Sequence, residues 1–319
     1  MAIKNLVSEL KAIIEDVKKK PLIYNASSGV PSITDVELTY ESGKEKKGKL
    51  IKTCVLFVDI RNSVELTKKH QHNTMGCIYT AFTKAVLLIA KEYSASVRNI
   101  IGDRVMVVFP ENNCFTNAID CAITINHATT IIRDVFTYVD FHCGIGVDYG
   151  EMRVLKVGIE RKGNENQENK NLVWVGKPAN SASRLTDVAN KEFKDTKYVI
   201  TGEFYHYDPL GVSTSFFLKP PTGWIKETRT MTSEEVANSL SFSQDGKLNF
   251  SGRNISAFKK EEVVYKYNPI LVSEEVYANY KKEHSQRIDI QKKLWEKETR
   301  KIKDISYNVW GADLHWKIS

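Results

Sequence analysis

No apolar run in this 319-residue chain approaches the ~18 residues that crossing a bilayer takes. The opening Met1-Ala2-Ile3-Lys4-Asn5-Leu6 lacks the apolar stretch of a signal peptide, so a cytoplasmic protein with no membrane partner is expected. Cysteine is scarce and odd in number, namely Cys54, Cys77, Cys114, Cys121 and Cys143, and no Cys-x-x-Cys occurs. That argues against a disulfide framework or a zinc site, and the apolar settings of most of these residues read as buried, reduced thiols. No internal repeat is evident. The histidines (His70, His72, His127, His142, His206, His284 and His315) fall in no motif, and no role is assigned to any of them. Basic residues are interleaved with acidic ones almost everywhere. The formal net charge is +7 and the pI about 8.9, yet Lys44, Lys46, Lys47 and Lys49 are mixed with Glu41 and Glu45. The basic stretch at 281–303 is diluted by Glu283, Asp289, Glu296 and Glu298 and carries no aromatic stacking motif, so nucleic acid is not an expected partner. A mildly basic surface that attracts an anionic nucleotide is the better reading.

Hydrophobic residues make up 42% of the chain and charged residues 27%, enough apolar content for one large or two small domains with a proper core. Ile3, Leu6, Leu10, Ile13, Ile14 and Val17 recur at helical spacing and predict an amphipathic helix over 3–20, stopped by Pro21, that packs on the domain or on a partner subunit. A polar connection with a short strand at Val36–Tyr40 should follow. Regular structure then begins: a strand at 52–59, a helix at 63–92, a hairpin of 96–101 with 104–109, a helix at 114–133, strands at 138–147 and about 151–157, a polar connection at 158–171, a strand at Leu172–Val175 and a helix from Pro178. The order βαββαβ, with both helices able to cover one face, predicts an α+β fold of ferredoxin-like type. The expected divisions are 1–48 as N-terminal helix and arm, 49–207 as core, and 208–319 as insertion and C-terminal extension. That last part should hold a Ser/Thr/Lys/Gly-rich insertion at 208–260, strands at Val263–Tyr267 and Ile270–Val272, a long charged helix at 274–304, and a packed strand near Tyr307–Trp316.

The chemistry starts in Val55-Leu56-Phe57-Val58-Asp59-Ile60, where an apolar run delivers one carboxylate to a strand end. A second carboxylate sits in Ile101-Gly102-Asp103-Arg104, a Gly-Asp turn between two apolar runs that reads as a hairpin. Adjacent strands would put Asp59 and Asp103 side by side, where like charges repel and each carboxyl prefers to be neutral. A pair of divalent cations, held by a few carboxylates plus substrate phosphates, removes that penalty. Further on, Asn180 and Arg184 are four apart on a helix and share a face. Arginine offers a planar fork suited to phosphate oxygens, and asparagine both donates and accepts.

Taken in order, Phe57-Val58-Asp59-Ile60 with Ser63, Gly102-Asp103-Arg104-Val105-Met106, Gly144-Ile145-Gly146-Val147-Asp148-Tyr149-Gly150-Glu151 and Gly176-x-x-x-Asn180-x-Ala182-Ser183-Arg184 resemble the signature of class III nucleotidyl cyclases over about residues 52–190. The resemblance implies that Asp59 and Asp103, with the Ile60 carbonyl, hold two divalent cations, Mn²⁺ or Mg²⁺. It implies that Asn180 and Arg184 position the ribose and stabilise the α-phosphate. It also implies a homodimer, the metal pair and the Asn/Arg pair of each site coming from opposite subunits. The reaction implied is attack of a ribose 3′-oxygen on the α-phosphate of a nucleoside triphosphate, with loss of pyrophosphate.

The chain departs from the purine members at the base-reading positions. Four residues before the second metal aspartate stands Asn99, beside Arg98, where adenylate cyclases carry Lys and guanylate cyclases Glu. Three residues before Gly176 stands Val173, where Asp or Cys is usual. A pocket without the purine hydrogen-bonding code points to another base, because buried donors and acceptors discriminate bases strongly. Among class III enzymes the chain most resembles the pyrimidine cyclases of bacterial Pycsar anti-phage defence. That implies a cyclic UMP or cyclic CMP synthase (UTP favoured, then CTP) whose product activates a separate effector protein. An adenylate or guanylate cyclase with an atypical base pocket, and a silent cyclase-like nucleotide-binding domain, are the alternatives.

Overall fold

The computed structural model describes residues 3–19, 21–39, 45–161, 164–206 and 223–317, with backbone alone for 159–169. The chain forms two compact units, one of residues 1–191 with 267–319 and one of residues 192–266. The first holds α1 (Ile3–Lys19), β1 (Leu22–Ala26), β2 (Lys46–Ile60), α2 (Ser63–Lys69), α3 (His72–Glu92), β3 (Ser96–Ile101), β4 (Arg104–Val108), α4 (Cys114–Val135), β5 (Cys143–Arg161), β6 (Asn164–Val175) and α5 (Lys177–Val188). The second holds β7 (Glu192–His206), β8 (Gly223–Thr232), α6 (Ser233–Asn238), β9 (Leu240–Phe242), β10 (Leu248–Phe250) and β11 (Gly252–Lys266). The chain then returns to the first unit with β12 (Ile270–Ser273), α7 (Glu274–Glu283), α8 (Ile288–Gln291), β13 (Glu296–Lys297) and β14 (Val309–Ala312).

The main sheet runs β13-β14-β12-β5-β2-β4-β3. Its last four strands, β5-β2-β4-β3, are antiparallel neighbours, which is the strand order of a ferredoxin-like βαββαβ unit. The expected α+β class is therefore the observed one. Alternation along β2 divides its side chains between two layers. Cys54, Leu56, Val58 and Ile60 face α3 and α4, with Met75, Ile78, Phe82, Ala118, Ala122 and Ile125 closing that core. Ile51, Val55 and Phe57 face the other way, with Met106, Val108, Met152 and Ala182 of α5. Asp59 follows Phe57 in this alternation and so belongs to the α5 face.

α5 lies unusually near the sheet. A Cβ on Gly146 would collide with the Ala182 carbonyl oxygen and the Thr186 nitrogen, and one on Gly144 with the Arg61 side chain and the Ala189 carbonyl. Thr186 Oγ1 donates to the Phe57 carbonyl at 3.0 Å, and Arg61, only 4% exposed, donates to the Thr186 carbonyl. Asn190 Nδ2 adds a bond to the Cys143 carbonyl at 2.9 Å. These bonds tie the end of α5 to β2 and β5.

Several expected boundaries change. The helix expected at 63–92 is two, because no apolar side chain between Leu66 and Met75 holds the chain against the core, and His70 turns extended. The long helix expected at 274–304 ends at Glu283. Buried Tyr280 donates to Asp289 Oδ2 at 2.8 Å, as does the Trp295 indole at 3.0 Å, and satisfying that carboxylate requires the chain to turn back. The strands expected at 138–147 and 151–157 are one continuous β5 starting at Cys143, and β6 begins at Asn164 rather than Leu172. The expected strand at 36–40 reduces to one bridge from Thr39 to Lys47, Tyr40 lying outside the described residues. The second unit starts at Glu192, before the division expected at 207/208, because β7 pairs along its length with β8 and β11. α1 forms as expected but buries no residue on its own chain. Its visible tie is Lys46 Nζ, which bonds the Asp16 carbonyl at 2.9 Å. Cys54, Cys114, Cys121 and Cys143 are buried free thiols, and Cys77 is exposed. α3 is long and apolar enough by composition to span a membrane, but its apolar face is the one packed on the sheet.

Gly146→Val should lift α5 from the sheet. We expect a loss on the order of 2 kcal/mol in urea unfolding, the usual cost of overpacking, together with loss of turnover. Unchanged unfolding would mean that α5 is not held by this contact.

Candidate active site

β2 and β4 pair Val58 with Val105, so Asp59 stands against the start of β4 and the turn that precedes it. Ile101 pairs with Arg104 across Gly102 and Asp103, and Gly102 has φ of +62°, as the first position of a tight hairpin turn demands. Asp59 and Asp103 thus meet at one end of the sheet, as the sequence predicts. Burial raises the Asp103 carboxyl above its ordinary range and the Asp59 charge adds to this, while a hydrogen bond from Ser63 pulls the other way. Ser63 opens α2 directly after Asn62, which sits in the left-handed region. This explains why a hydroxyl follows Asp59 at that spacing.

Arg104 was not assigned a role from the sequence, and it is the most connected side chain of the site. Its Nη2 donates to Asp59 Oδ2 at 2.9 Å and to Asp187 Oδ1 at 2.5 Å, and its Nη1 donates to Ser183 Oγ at 2.9 Å. One guanidinium therefore joins the β2 carboxylate to two residues of α5. Its position immediately after Asp103 was the available signal. Asp187 and Ser183, three and four residues apart from Arg184 and Asp187 respectively on α5, carried none beyond helical spacing.

Asn180 and Arg184 lie one turn apart on α5, both exposed. Arg184 Nη1 pairs with Asp304 Oδ2 at 2.6 Å, a partner from the C-terminal extension that no sequence motif marked. The base-reading candidates attach to opposite sides of the β2–β5 pair. Arg98 and Asn99 are on the edge strand β3, whereas Val173 is on β6, opposite Leu155 of β5. Arg98 is half-buried and donates Nη2 to the Val30 carbonyl at 3.3 Å, and burial lowers its pKa. Asn99 is exposed, as is Val173.

The donor set suits a hard divalent cation. Two neighbouring carboxylates, one of them kept from ionising freely by burial and then by the other's charge, leave negative charge that a cation would relieve. Among the described residues no group of three or more His, Cys, Asp or Glu side chains is placed to hold a metal. Two carboxylates and a carbonyl, with the remaining positions left to phosphate and water, are what Mg²⁺ or Mn²⁺ accepts. Ile60 is the residue whose carbonyl lies at that strand end.

A ferredoxin-like sheet with paired aspartates at one end and an Asn/Arg helix on the same face is the arrangement that the sequence led us to expect of a class III nucleotide cyclase. No protein-family model matches the chain. Among characterised proteins it is 30% identical to a uridylate cyclase of Burkholderia cepacia over 209 residues, 62% of this chain and 83% of that protein. It is 25% identical to a uridylate cyclase of Gulbenkiania mobilis over 215 residues, 63% and 77% of the two chains. Among solved structures, the adenylyl cyclase CyaB from P. aeruginosa aligns with 14% identity and a TM-score of 0.46 over 82% of this chain and 94% of that one. The guanylyl cyclase Cya2 aligns with 13% identity and a TM-score of 0.40 over 58% and 92%. This chain belongs to the class III pyrimidine cyclases, the family of the bacterial uridylate cyclases.

If Asp103 is a cation ligand under charge strain, Asp103→Asn should raise the melting temperature at pH 7 in chelator. Mn²⁺ should raise the melting temperature of the parent chain but not of the variant. An equal Mn²⁺ shift in both would remove Asp103 from the metal site.

Proposed function

We propose that this nucleotide cyclase converts UTP to 3′,5′-cyclic UMP and pyrophosphate. The observation that carries the reading is the meeting of Asp59 and Asp103 at one sheet end, in a chain whose named relatives are uridylate cyclases. The base assignment draws on those names and on Asn99 and Val173. Val173 has no group to bond a purine amine, and Asn99 both donates and accepts, as the carbonyl and N–H edge of uracil requires. CTP is the next substrate by the same argument, and Arg98 is a second candidate to donate to a pyrimidine carbonyl oxygen.

Asp59, Asp103 and the Ile60 carbonyl would hold two divalent ions, Mn²⁺ or Mg²⁺. When bound, these ions acidify the ribose 3′-hydroxyl and neutralise the triphosphate. Asn180 and Arg184 of the second subunit face them across a homodimer. The Asn180 amide orients the ribose so that its 3′-oxygen lies in line with the leaving pyrophosphate. The Arg184 guanidinium donates to the α-phosphate oxygens as charge builds there. No histidine is needed as a base. In the cytoplasm the cyclic nucleotide would act as a second messenger in anti-phage defence, switching on a separate effector protein.

The test is product analysis by mass after incubation of the protein and Mn²⁺ with ATP, GTP, CTP and UTP, singly and mixed. Cyclic UMP is expected, with cyclic CMP as a lesser product. Cyclic AMP or cyclic GMP would overturn the reading of Asn99 and Val173. Asp59→Ala and Asp103→Ala should each lower turnover by ~10³-fold or more, as loss of charge stabilisation at a reacting centre does.

The composite site has its own test. Chains carrying Asp59→Ala and chains carrying Arg184→Ala, each silent alone, should regain up to one working site per dimer when co-expressed. Silence of confirmed heterodimers would show that each site is built within one subunit.

A further inference from the structure

The C-terminal extension runs along α5 and touches it in two places. Tyr307 donates its hydroxyl to Asp148 Oδ2 at 3.0 Å, and the Ser181 hydroxyl hydrogen-bonds with Tyr307. Lys177 Nζ lies 5.1 Å from the centre of the Tyr307 ring. Two turns on, Asp304 pairs with Arg184. Lys177, Ser181 and Arg184 fall at helical spacing on one side of α5. The touching segment is itself anchored, with Ile302 and Val309 buried at its ends and Asp148, 3% exposed, beneath Tyr307. Asp304 has φ of +60°, in the left-handed region that few residues other than Gly, Asn and Asp enter. Its carboxylate is thus presented from a fixed turn, not from a freely moving tail.

We propose that Asp304 is a positioning residue for Arg184, and that the segment 302–309 is a strap completing the Asn/Arg half of the active site. The inference rests on the reading above, in which Arg184 contacts the α-phosphate. An arginine half-exposed on a helix samples many rotamers, and holding it costs entropy that must otherwise be met when substrate binds. Asp304 takes the Nη1 end of the fork and leaves Nη2 and Nε to donate to phosphate. Fixing donors before charge develops speeds the chemical step more than it tightens ground-state binding. The pair is about half exposed, so it adds little to fold stability, and its loss should not unfold the chain.

Asp304→Asn keeps a residue at home in the left-handed region and removes only the charge. Asp304→Gly does the same by a different route. Both should melt with the parent. Both should lower kcat by about 10-fold for the triphosphate that the parent turns over, with KM changed less than about two-fold, as befits an interaction made in the transition state. Parental or increased kcat in both Asp304 variants, with Arg184→Ala silent, would overturn the strap while leaving the role of Arg184 intact. Increased kcat in particular would show that Asp304 holds Arg184 back. Parental activity in Arg184→Ala would remove the reading of Arg184 and the strap with it.

Discussion

The site depends on how near α5 can lie to the sheet. Gly144 and Gly146 leave the start of β5 bare of side chains on the α5 side, and the helix backbone settles into that space, with the Thr186 hydroxyl on the Phe57 carbonyl and Arg61 on the Thr186 carbonyl. From there one guanidinium, Arg104, spans Asp59, Ser183 and Asp187. A thicker sheet face would push α5 outward by about a side-chain radius, and no single arginine would bridge the three. Since catalytic groups must be held within a fraction of an ångström, helix–sheet distance would, on the proposed reading, be a chemical as well as a packing variable.

The electrostatics follow from the same contact and are asymmetric. Arg104 covers Asp59, but Asp103, in the turn, keeps a raised pKa from burial and from its neighbour's charge. The fold therefore carries one carboxylate that is costly to ionise when nothing binds there. Such a cost is characteristic of a binding site that trades stability for function. It also gives the proposed cation site an electrostatic basis separate from any family likeness.

Local pattern made the βαββαβ core legible: alternation in Leu56–Val58–Ile60, the Gly-Asp turn at 102–103 and the 3.6-residue stripe of α4. The placement of Asp59 and Asp103 at one end of the sheet, and of Asn180 and Arg184 one turn apart on a helix, was legible because each sits in a short, ordered motif. What was missed acts at long range. Arg104 meets Asp187 over a sequence separation of 83, and Arg184 meets a residue more than a hundred positions on. The break after α7 was hidden for the same reason. The charge pattern of 274–304 favours a continuous helix, but Asp289 must accept bonds from buried Tyr280 and Trp295, and tertiary satisfaction overrides local propensity. The early start of the second unit escaped because Glu192–His206 reads as a core strand, and its partners β8 and β11 lie in a stretch whose composition suggests a loop.

One property of the isolated subunit bears on specificity. Asn99, Val173, Asn180 and Arg184 are all exposed, while the carboxylates they would work with are half-buried. Exposed polar groups discriminate poorly, because water replaces any bond that a wrong base fails to make. An apolar Val173 in water discriminates nothing. Base selection therefore needs a wall that the described residues of the single chain do not provide, and the composite dimer proposed above would supply one. On this argument the identity of residues 99 and 173 matters only after a second subunit has excluded water from them. A monomeric form should then lose selectivity between bases together with turnover, not after it.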